Sequence, residues 1–531
     1  MPVAAASRTT APFPRPAVTG AAGLFRRPAA RWARVALAAV NLAAVAAFLL
    51  SFSRHGVGFG PYRIDLGVYR MGGRTWLRGG DLYGQALVTG GLRLPFTYPP
   101  IAAIVLAPLA LLPMTAAGTM LTMGSIVLAA VVLTVFWRRL ARPAAASLVW
   151  AAAWLLPPAL LLEPVRSELA YGQVDIVLMA LVTVDCLTVE PRWPRGALTG
   201  LAAAVKLTPA AFVLFFLLRR DYRAAATAGL SFAAATAAGF ALAGRDSARY
   251  WSTVVFQTGR IGGPATPANQ SIVAVLARAG LDPHTPPGTA AWLLLSALVL
   301  VAAWRGMRHA LTAGQPGLAL SLNAFAALLI SPVSWSHHWV WCAPGLLTLA
   351  DLSRRYHRRL AAVAAACGLV LFTAAPQWWL GKFAGPVPNW PPWQQAIGSS
   401  YVFYAALILL LAGRLIDHPG WEGVPRSSSR RSRLRILPSG LRGSSSRTSS
   451  RSGSLNVAMP ISRRYATIPA RLTVWPGRGT TTAQARSPST SSGYATTATS
   501  ATAGWPAMKP SSSAAEIFIP PRTTMSLDRS T

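Results

Sequence analysis

Between residues 35 and 415 the chain is a run of apolar stretches joined by short linkers, and this pattern limits what it can fold into. An apolar helix of about 20 residues crosses the roughly 30 Å hydrocarbon layer of a membrane. Ala116–Trp137 meets that length and ends in Arg138, Arg139 and Arg142. Other stretches follow at Val35–Phe52, Ala144–Leu162, Ile176–Val189, Ala224–Ala243, Ala290–Trp304, Leu318–Ile330, Trp339–Leu349, Ala361–Ala375 and Tyr401–Leu411. Ile101–Leu112 is shorter and carries Pro108, so it reads as a half-helix. The predicted class is an all-α polytopic membrane protein with about ten to twelve membrane segments. Composition agrees: 53% of residues are hydrophobic and 12% charged, half the charge of an ordinary soluble domain, and mean hydropathy is +0.41.

The formal net charge of +35 is extreme. A nucleic-acid ligand is one reading of such a charge. The arginines flank apolar stretches, however, where the positive-inside rule sets them on the cytoplasmic side. Anionic membrane lipids are the second partner they suit, and no nucleic-acid partner is expected. Residues 1–34 carry Arg8, Arg15, Arg26, Arg27, Arg31 and Arg34 and no acid. They form a basic cytoplasmic N-terminus, and Val35–Phe52 reads as a retained anchor rather than a cleaved signal. The loop after it is then extracytoplasmic. Residues 35–415 form the membrane domain, and 416–531 a basic Ser/Thr/Arg tail. From residue 424 the tail supplies about 14 of the 35 net charges. It has no apolar run to bury and is expected to be disordered; it also reads like a gene translated out of frame. Cys186, Cys342 and Cys367 all lie in apolar runs, so they are expected to be small core residues without disulfide or metal roles.

Chemistry needs polar groups, and there are few. Residues 54–100 form the longest polar segment between apolar runs, holding Asp65 and Asp81, two of fifteen acidic residues. Asp65 is the first candidate for a proton acceptor, since a carboxylate in a dry cleft can have its pKa raised towards neutrality. Its flanks, Arg63 and Arg70, leave an ion-paired structural role open. Gly196–Leu218 has arginines at both ends and a break at Lys206-Leu-Thr-Pro209, which fits two re-entrant half-helices. Lys206 is then an ionisable group at membrane depth, or a lysine snorkelling to a headgroup. His337 and His338 lie on the same outer side as Asp65, either as donors to a phosphate or as an interfacial pair among Trp335, Trp339 and Trp341. Tyr98-Pro99-Pro100 marks a helix start. Asn269-Gln-Ser271 is a formal glycosylation sequon. No Gly-rich phosphate loop, zinc motif or nucleophile elbow occurs.

Taken in order, Asp65-Leu-Gly-Val-Tyr69, Gly80-Asp-Leu-Tyr83, Pro95-Phe-Thr-Tyr-Pro-Pro100, Tyr171-Gly-Gln-Val174, Lys206-Leu-Thr-Pro209, Asp246-Ser…Tyr250-Trp251, Asn269-Gln-Ser271 and Ser331-Pro-Val-Ser-Trp-Ser-His-His338 resemble the polyprenol-phosphate-mannose-dependent α-1,2-mannosyltransferases of glycosyltransferase family 87. The resemblance spans about residues 30–415. It implies a GT-C-type helical bundle in the plasma (inner) membrane, with an extracytoplasmic active site. It implies mannose transfer from a polyprenyl-phosphate sugar to a mannose-containing glycolipid or glycan, by inversion, with Asp65 as general base. His337, His338, Lys206 and Tyr98 would hold the donor phosphate and sugar. Gln173, Asn269 and Asp81 would contact the acceptor or order its loops. No cofactor is expected, and metal need is open. Asp175 departs from the pattern, where Asn is expected. A different lipid-linked sugar such as arabinose, and a transporter or lipid flippase, are the competing functions; a flippase would show related halves, and no internal repeat is visible.

Overall fold

In the computed structural model, residues 39, 41–43, 63–89, 92–141, 146–380 and 390–416 are described. The basic N-terminus, most of Val35–Phe52, the start of the 54–100 segment, part of the Trp-rich stretch after 377 and the tail from 417 lie outside them.

The described chain is almost entirely helical. It begins with α1 (Ile64–Leu77), a hairpin of β1 (Ala86–Thr89) and β2 (Leu92–Pro95), α2 (Pro100–Leu111), α3 (Met114–Ala141) and α4 (Ala146–Leu160). Next come α5 (Glu163–Tyr171), α6 (Asp175–Leu187), α7 (Ala197–Val205), a 3-10 turn Thr208–Phe212, α8 (Val213–Leu218), α9 (Tyr222–Leu242) and α10 (Gly244–Ser252). The remainder is α11 (Ile272–Arg278), α12 (Pro286–Thr312), α13 (Pro316–Ile330), a 3-10 turn Ser336–Trp341, α14 (Cys342–Tyr356), α15 (Arg359–Ala374), α16 (Pro392–Gly398) and α17 (Ser400–Ile416). The hairpin is antiparallel, with Leu87 opposite Leu94, and with α1 it gives regular structure to the polar segment expected to be a loop.

Four helices are long and apolar enough to cross a membrane: Met114–Leu140, Tyr222–Leu242, Pro286–Thr312 and Arg359–Trp378. Two bent pairs, α5 with α6 at 118° and α16 with α17 at 77°, raise that to as many as six. Fewer full-length spans occur among the described residues than the ten to twelve segments predicted. Proline explains much of the difference: Pro108 and the Pro157-Pro158 pair lie inside α2 and α4, and helices of 12 or 15 residues rise only about 1.5 Å per residue, well short of 30 Å. The protein is an all-α polytopic membrane protein built from long spans and short partial ones. Its outward residues fit this: Leu111, Leu230, Leu294, Val370 and Leu410 are all exposed, as on a lipid-facing surface. Of the cysteines, Cys186 and Cys342 are buried as expected, while Cys367 is exposed.

Between helices in lipid, apolar area gives little net drive, so close packing of small residues holds the bundle. Gly72 and Gly73 show this on α1. A Cβ at Gly72 would lie 2.5 Å from the Phe96 ring, and one at Gly73 would lie 2.9 Å from Ala107 Cα. Gly73 lets α1 lie directly on α2, and Gly72 makes room for the Phe96 ring. Gly172 does a second job, ending α5 with φ +68° while a Cβ there would meet Leu66 at 2.8 Å. These contacts set the first turn of α1 against the bend between α5 and α6. The core beneath is aromatic: Tyr69, Phe96, Trp339, Phe372 and Tyr401 are fully buried.

Candidate active site

Asp65 sits in the first turn of α1, where a carboxylate is favoured by the helix dipole. Its side chain hydrogen-bonds Gln173. Arg70 does not pair with it; that guanidinium donates to Leu109 O at 2.6 Å and so caps α2. Burial raises the Asp65 carboxyl to about 7, aided by the Asp175 charge and opposed by the Gln173 hydrogen bond and by Lys206. A carboxyl near 7 can exist in both forms at working pH, as proton transfer requires.

Gln173 follows the left-handed Gly172 and is buried. Its Oε1 accepts from the Tyr69 hydroxyl. Tyr69 and Tyr98 hydroxyls are 3.1 Å apart. The Lys206 ammonium lies 5.7 Å from the centre of the Tyr98 ring. Lys206 Nζ donates to both Asp175 oxygens at 2.7 and 2.8 Å, and to His338 Nε2 at 3.3 Å. His337 packs edge-on against His338 with ring centres 4.7 Å apart and against Tyr171 at 5.2 Å. The Asp65 carboxylate, the two tyrosines, Lys206 and the histidine pair thus form one polar array across α1, α2, α5–α6, α7 and the Ser336–Trp341 turn.

The Lys206 environment decides between the sequence alternatives. Its backbone is extended, with φ −145° and ψ 126°, where α7 ends ahead of Pro209. Lys206 is 8% exposed and bound inward, so it does not snorkel. Asp175, His337 and His338 present ligand atoms within 4.8 Å of one another, a spacing that suits a cation. The Lys206 ammonium already lies against two of the three. Burial, with the Lys206 charge beside it, holds His338 well below the usual imidazole range. Its Nε2 therefore accepts from Lys206, and its proton sits on Nδ1. His337 is buried, and its Nε2 has no hydrogen-bond partner among the described residues.

Behind this array is a second carboxylate. Glu163 is buried and accepts from Ser167 Oγ at 2.7 Å, Ser336 Oγ at 2.8 Å, Trp378 Nε1 at 3.1 Å and Tyr401 OH at 3.0 Å. Four donors from separate elements satisfy its charge. Ser336 precedes His337, so Glu163 fixes the histidine turn. Glu168 does likewise for the bend: it accepts from Ile176 N at 3.0 Å and anchors the start of α6, next to Asp175.

Two predicted site residues lie outside the array's hydrogen bonds. Asp81 pairs with Arg249 at 2.6 Å and accepts from Tyr83 N and Gly84 N, closing its own turn. Asn269 is fully buried. It donates to Pro264 O and Pro332 O and accepts from Ser334 N at 2.9 Å, so it ties two loops together rather than offering a glycosylation site. Asp175, Tyr69 and Glu163 were not singled out as site residues from sequence. A buried lysine demands a counter-ion, and with so few acids that demand was the available signal for Asp175.

From Asp175, Ser334 and His338 a narrow cleft of about 50 Å³ continues between apolar walls that include Leu178, Val182, Phe212 and Leu328. The cleft is thus polar where it meets the array and apolar along its walls.

The model of glycosyltransferase family 87 matches residues 96–332. A polyprenol-phosphate-mannose-dependent alpha-(1-2)-phosphatidylinositol mannoside mannosyltransferase of Mycobacterium tuberculosis is 44% identical over 369 residues, covering 67% of this chain and 86% of that protein. Its counterpart in Mycolicibacterium smegmatis is 42% identical over 373 residues, covering 66% and 84%. A phosphatidylinositol pentamannoside mannosyltransferase of M. tuberculosis is 32% identical over 358 residues, covering 66% and 79%. No solved structure matches. With relatives this similar over most of their length, the chain belongs to glycosyltransferase family 87 and is a mannosyltransferase.

Proposed function

We propose that the enzyme transfers mannose from a polyprenyl phosphate mannose to a mannose-bearing phosphatidylinositol glycolipid, forming an α-1,2 linkage on the extracytoplasmic face of the plasma membrane. The observation that carries this reading is the single array joining Asp65 to Lys206 and His338, with an apolar cleft leading away from the far end. The donor and acceptor in the relatives' names support the same reading. Asp65 takes the proton of the acceptor hydroxyl. The freed oxygen attacks the anomeric carbon as the bond to the phosphate oxygen breaks, and polyprenyl phosphate leaves. One displacement inverts the β-linked donor to an α product. Lys206 and the His337 and His338 ring N–H groups meet the charge that grows on the leaving phosphate. Gln173 holds the Asp65 carboxylate in line. Arginines at the Arg138–Arg139 end of α3 support a cytoplasmic end there; Leu66 packs with Leu109 and Ala117 near the opposite end, which supports an outer position for Asp65.

The test is transfer by membranes carrying the enzyme, with radiolabelled polyprenyl phosphate mannose and a phosphatidylinositol mannoside. The expected product is mannosidase-sensitive and α-1,2-linked. Product from a polyprenyl phosphate arabinose donor instead would overturn the sugar assignment. The pH profile is a second check. The base works ionised, so kcat/KM should rise with pH through a midpoint of about 7 and level off above it. A profile flat from about pH 5 to 9 would remove Asp65 from the role.

A further inference from the structure

The helix that carries Asp65 also carries Arg70 and Arg74 and is capped by Arg78; the three are spaced i, i+4 and i+8 and so share one face. All three line a cavity of about 650 Å³, together with Thr75, Gln85 and Met114. Arg70 is buried, and its Nη1 is shared between Leu109 O and Leu112 O at the end of α2. Arg74 reaches Ala110 O at 3.4 Å, and its chain is otherwise exposed. None of the three pairs with a carboxylate among the described residues. Burial, and after it the Arg74 charge, lowers the proton affinity of Arg70. Like charges gathered around a cavity with no acid among its described lining residues are costly unless an anion joins them.

The setting specifies the anion. Met114 opens α3, whose far end is marked by Arg138 and Arg139, so the cavity lies where a span meets the headgroup layer. On α2, whose last carbonyls Arg70 holds, Val105 and Leu111 are 51% and 74% exposed, offering apolar surface to acyl chains. The arginine face is turned roughly half a turn from the Asp65–Tyr69 face, at 100° per residue. An acceptor presented to Asp65 would approach from the other side of α1.

We propose that this cleft holds the phosphate of an anionic membrane phospholipid, which anchors the helix bearing Asp65 to the leaflet. Arg74 and Arg78 supply the charge and Arg70 the buried floor. Assignment to the outer leaflet rests on the proposed outer position of the site; the binding itself does not.

The experiment uses the full-length enzyme in an uncharged detergent, with phosphatidylglycerol or phosphatidylcholine of the same acyl chains, read by native mass spectrometry and thermal midpoint. Wild type should retain one phosphatidylglycerol under activation that strips phosphatidylcholine, and phosphatidylglycerol should raise its midpoint. In Arg74→Gln/Arg78→Gln the retained fraction should fall by about tenfold or more, with the midpoint shift lost. Arg305→Gln/Arg308→Gln, which removes two charges elsewhere, should bind like wild type. Equal retention by the cleft variant and wild type would overturn the proposal, as would equal loss in the control variant. Retention of a mannosylated phosphatidylinositol but not of phosphatidylglycerol would also overturn it, making the cleft an acceptor site. These readouts are independent of sugar transfer, so failure of the transferase reading leaves them interpretable.

Discussion

Asp65→Asn is expected to lower mannosyl transfer by at least about 10²-fold while the protein folds and inserts as wild type does. Asparagine keeps the shape of the side chain and can still bond Gln173, but it cannot accept the acceptor's proton. The sign of the stability change is a separate check. The folded-state pKa of Asp65 is raised to about 7, so the folded protein binds this proton more tightly than the unfolded chain does. Its contribution to stability is fully present below the unfolded value and lost as pH rises through about 7. Above that pH an ionised Asp65 strains the fold, and the neutral asparagine should leave the thermal midpoint unchanged or higher. Asp81→Asn is the contrast. Asp81 is half exposed and paired with Arg249 at the surface, so transfer should stay within about twofold of wild type. Rates measured with saturating donor and acceptor decide the matter. An Asp65→Asn enzyme retaining a tenth or more of wild-type activity, or equal losses in both variants, would take the base assignment away from Asp65.

What was legible beforehand follows from how local each signal is. The helix start at Pro99-Pro100 and the break at Lys206-Leu-Thr-Pro209 act within a few residues, and both appear at the predicted places. The segment 163–175 reads as a polar loop because Glu163, Arg166 and Glu168 are charged. It is a helix ended by Gly172, because both carboxylates find buried donors. For Glu163 those donors come from residues 167, 336, 378 and 401, and three of the four have no sequence relation to it. Pairing at such distances is a product of the fold, not of a window of residues. Likewise the stretch 244–287, which has no long apolar run, contains α10 and α11. The latter is started by the Ser271 cap on Ala274 N. The scarcity of polar groups brought out Asp65, Lys206 and the histidines as separate points, and the motif resemblance then gave them roles. Only the 118° bend between α5 and α6 explains why Asp175 lies among them.

That bend makes Lys206→Met the second large effect, and the two consequences of the substitution can be separated. Lys206 and Asp175 side chains are only 10% and 12% exposed, and the ammonium touches both carboxylate oxygens. Removing the lysine leaves an uncompensated buried carboxylate, a change that typically costs about 3 kcal/mol or more. It also removes the one cation of the array from the leaving phosphate, for which about 10²-fold in transfer is a reasonable scale. Adding Asp175→Asn removes the stranded charge. The double variant should therefore recover most of the lost thermal midpoint but none of the transfer rate, because no cation is restored. Asp175→Asn alone should be the mildest of the three in transfer, since Lys206 stays bonded to His338 and gains freedom to reach the phosphate. Midpoints and rates for the three variants form one cycle. If the double variant regains transfer along with stability, Lys206 serves only to neutralise Asp175. If neither variant loses stability, the pair is solvated in the membrane-bound enzyme, and the array no longer explains how α6 and α7 are held together.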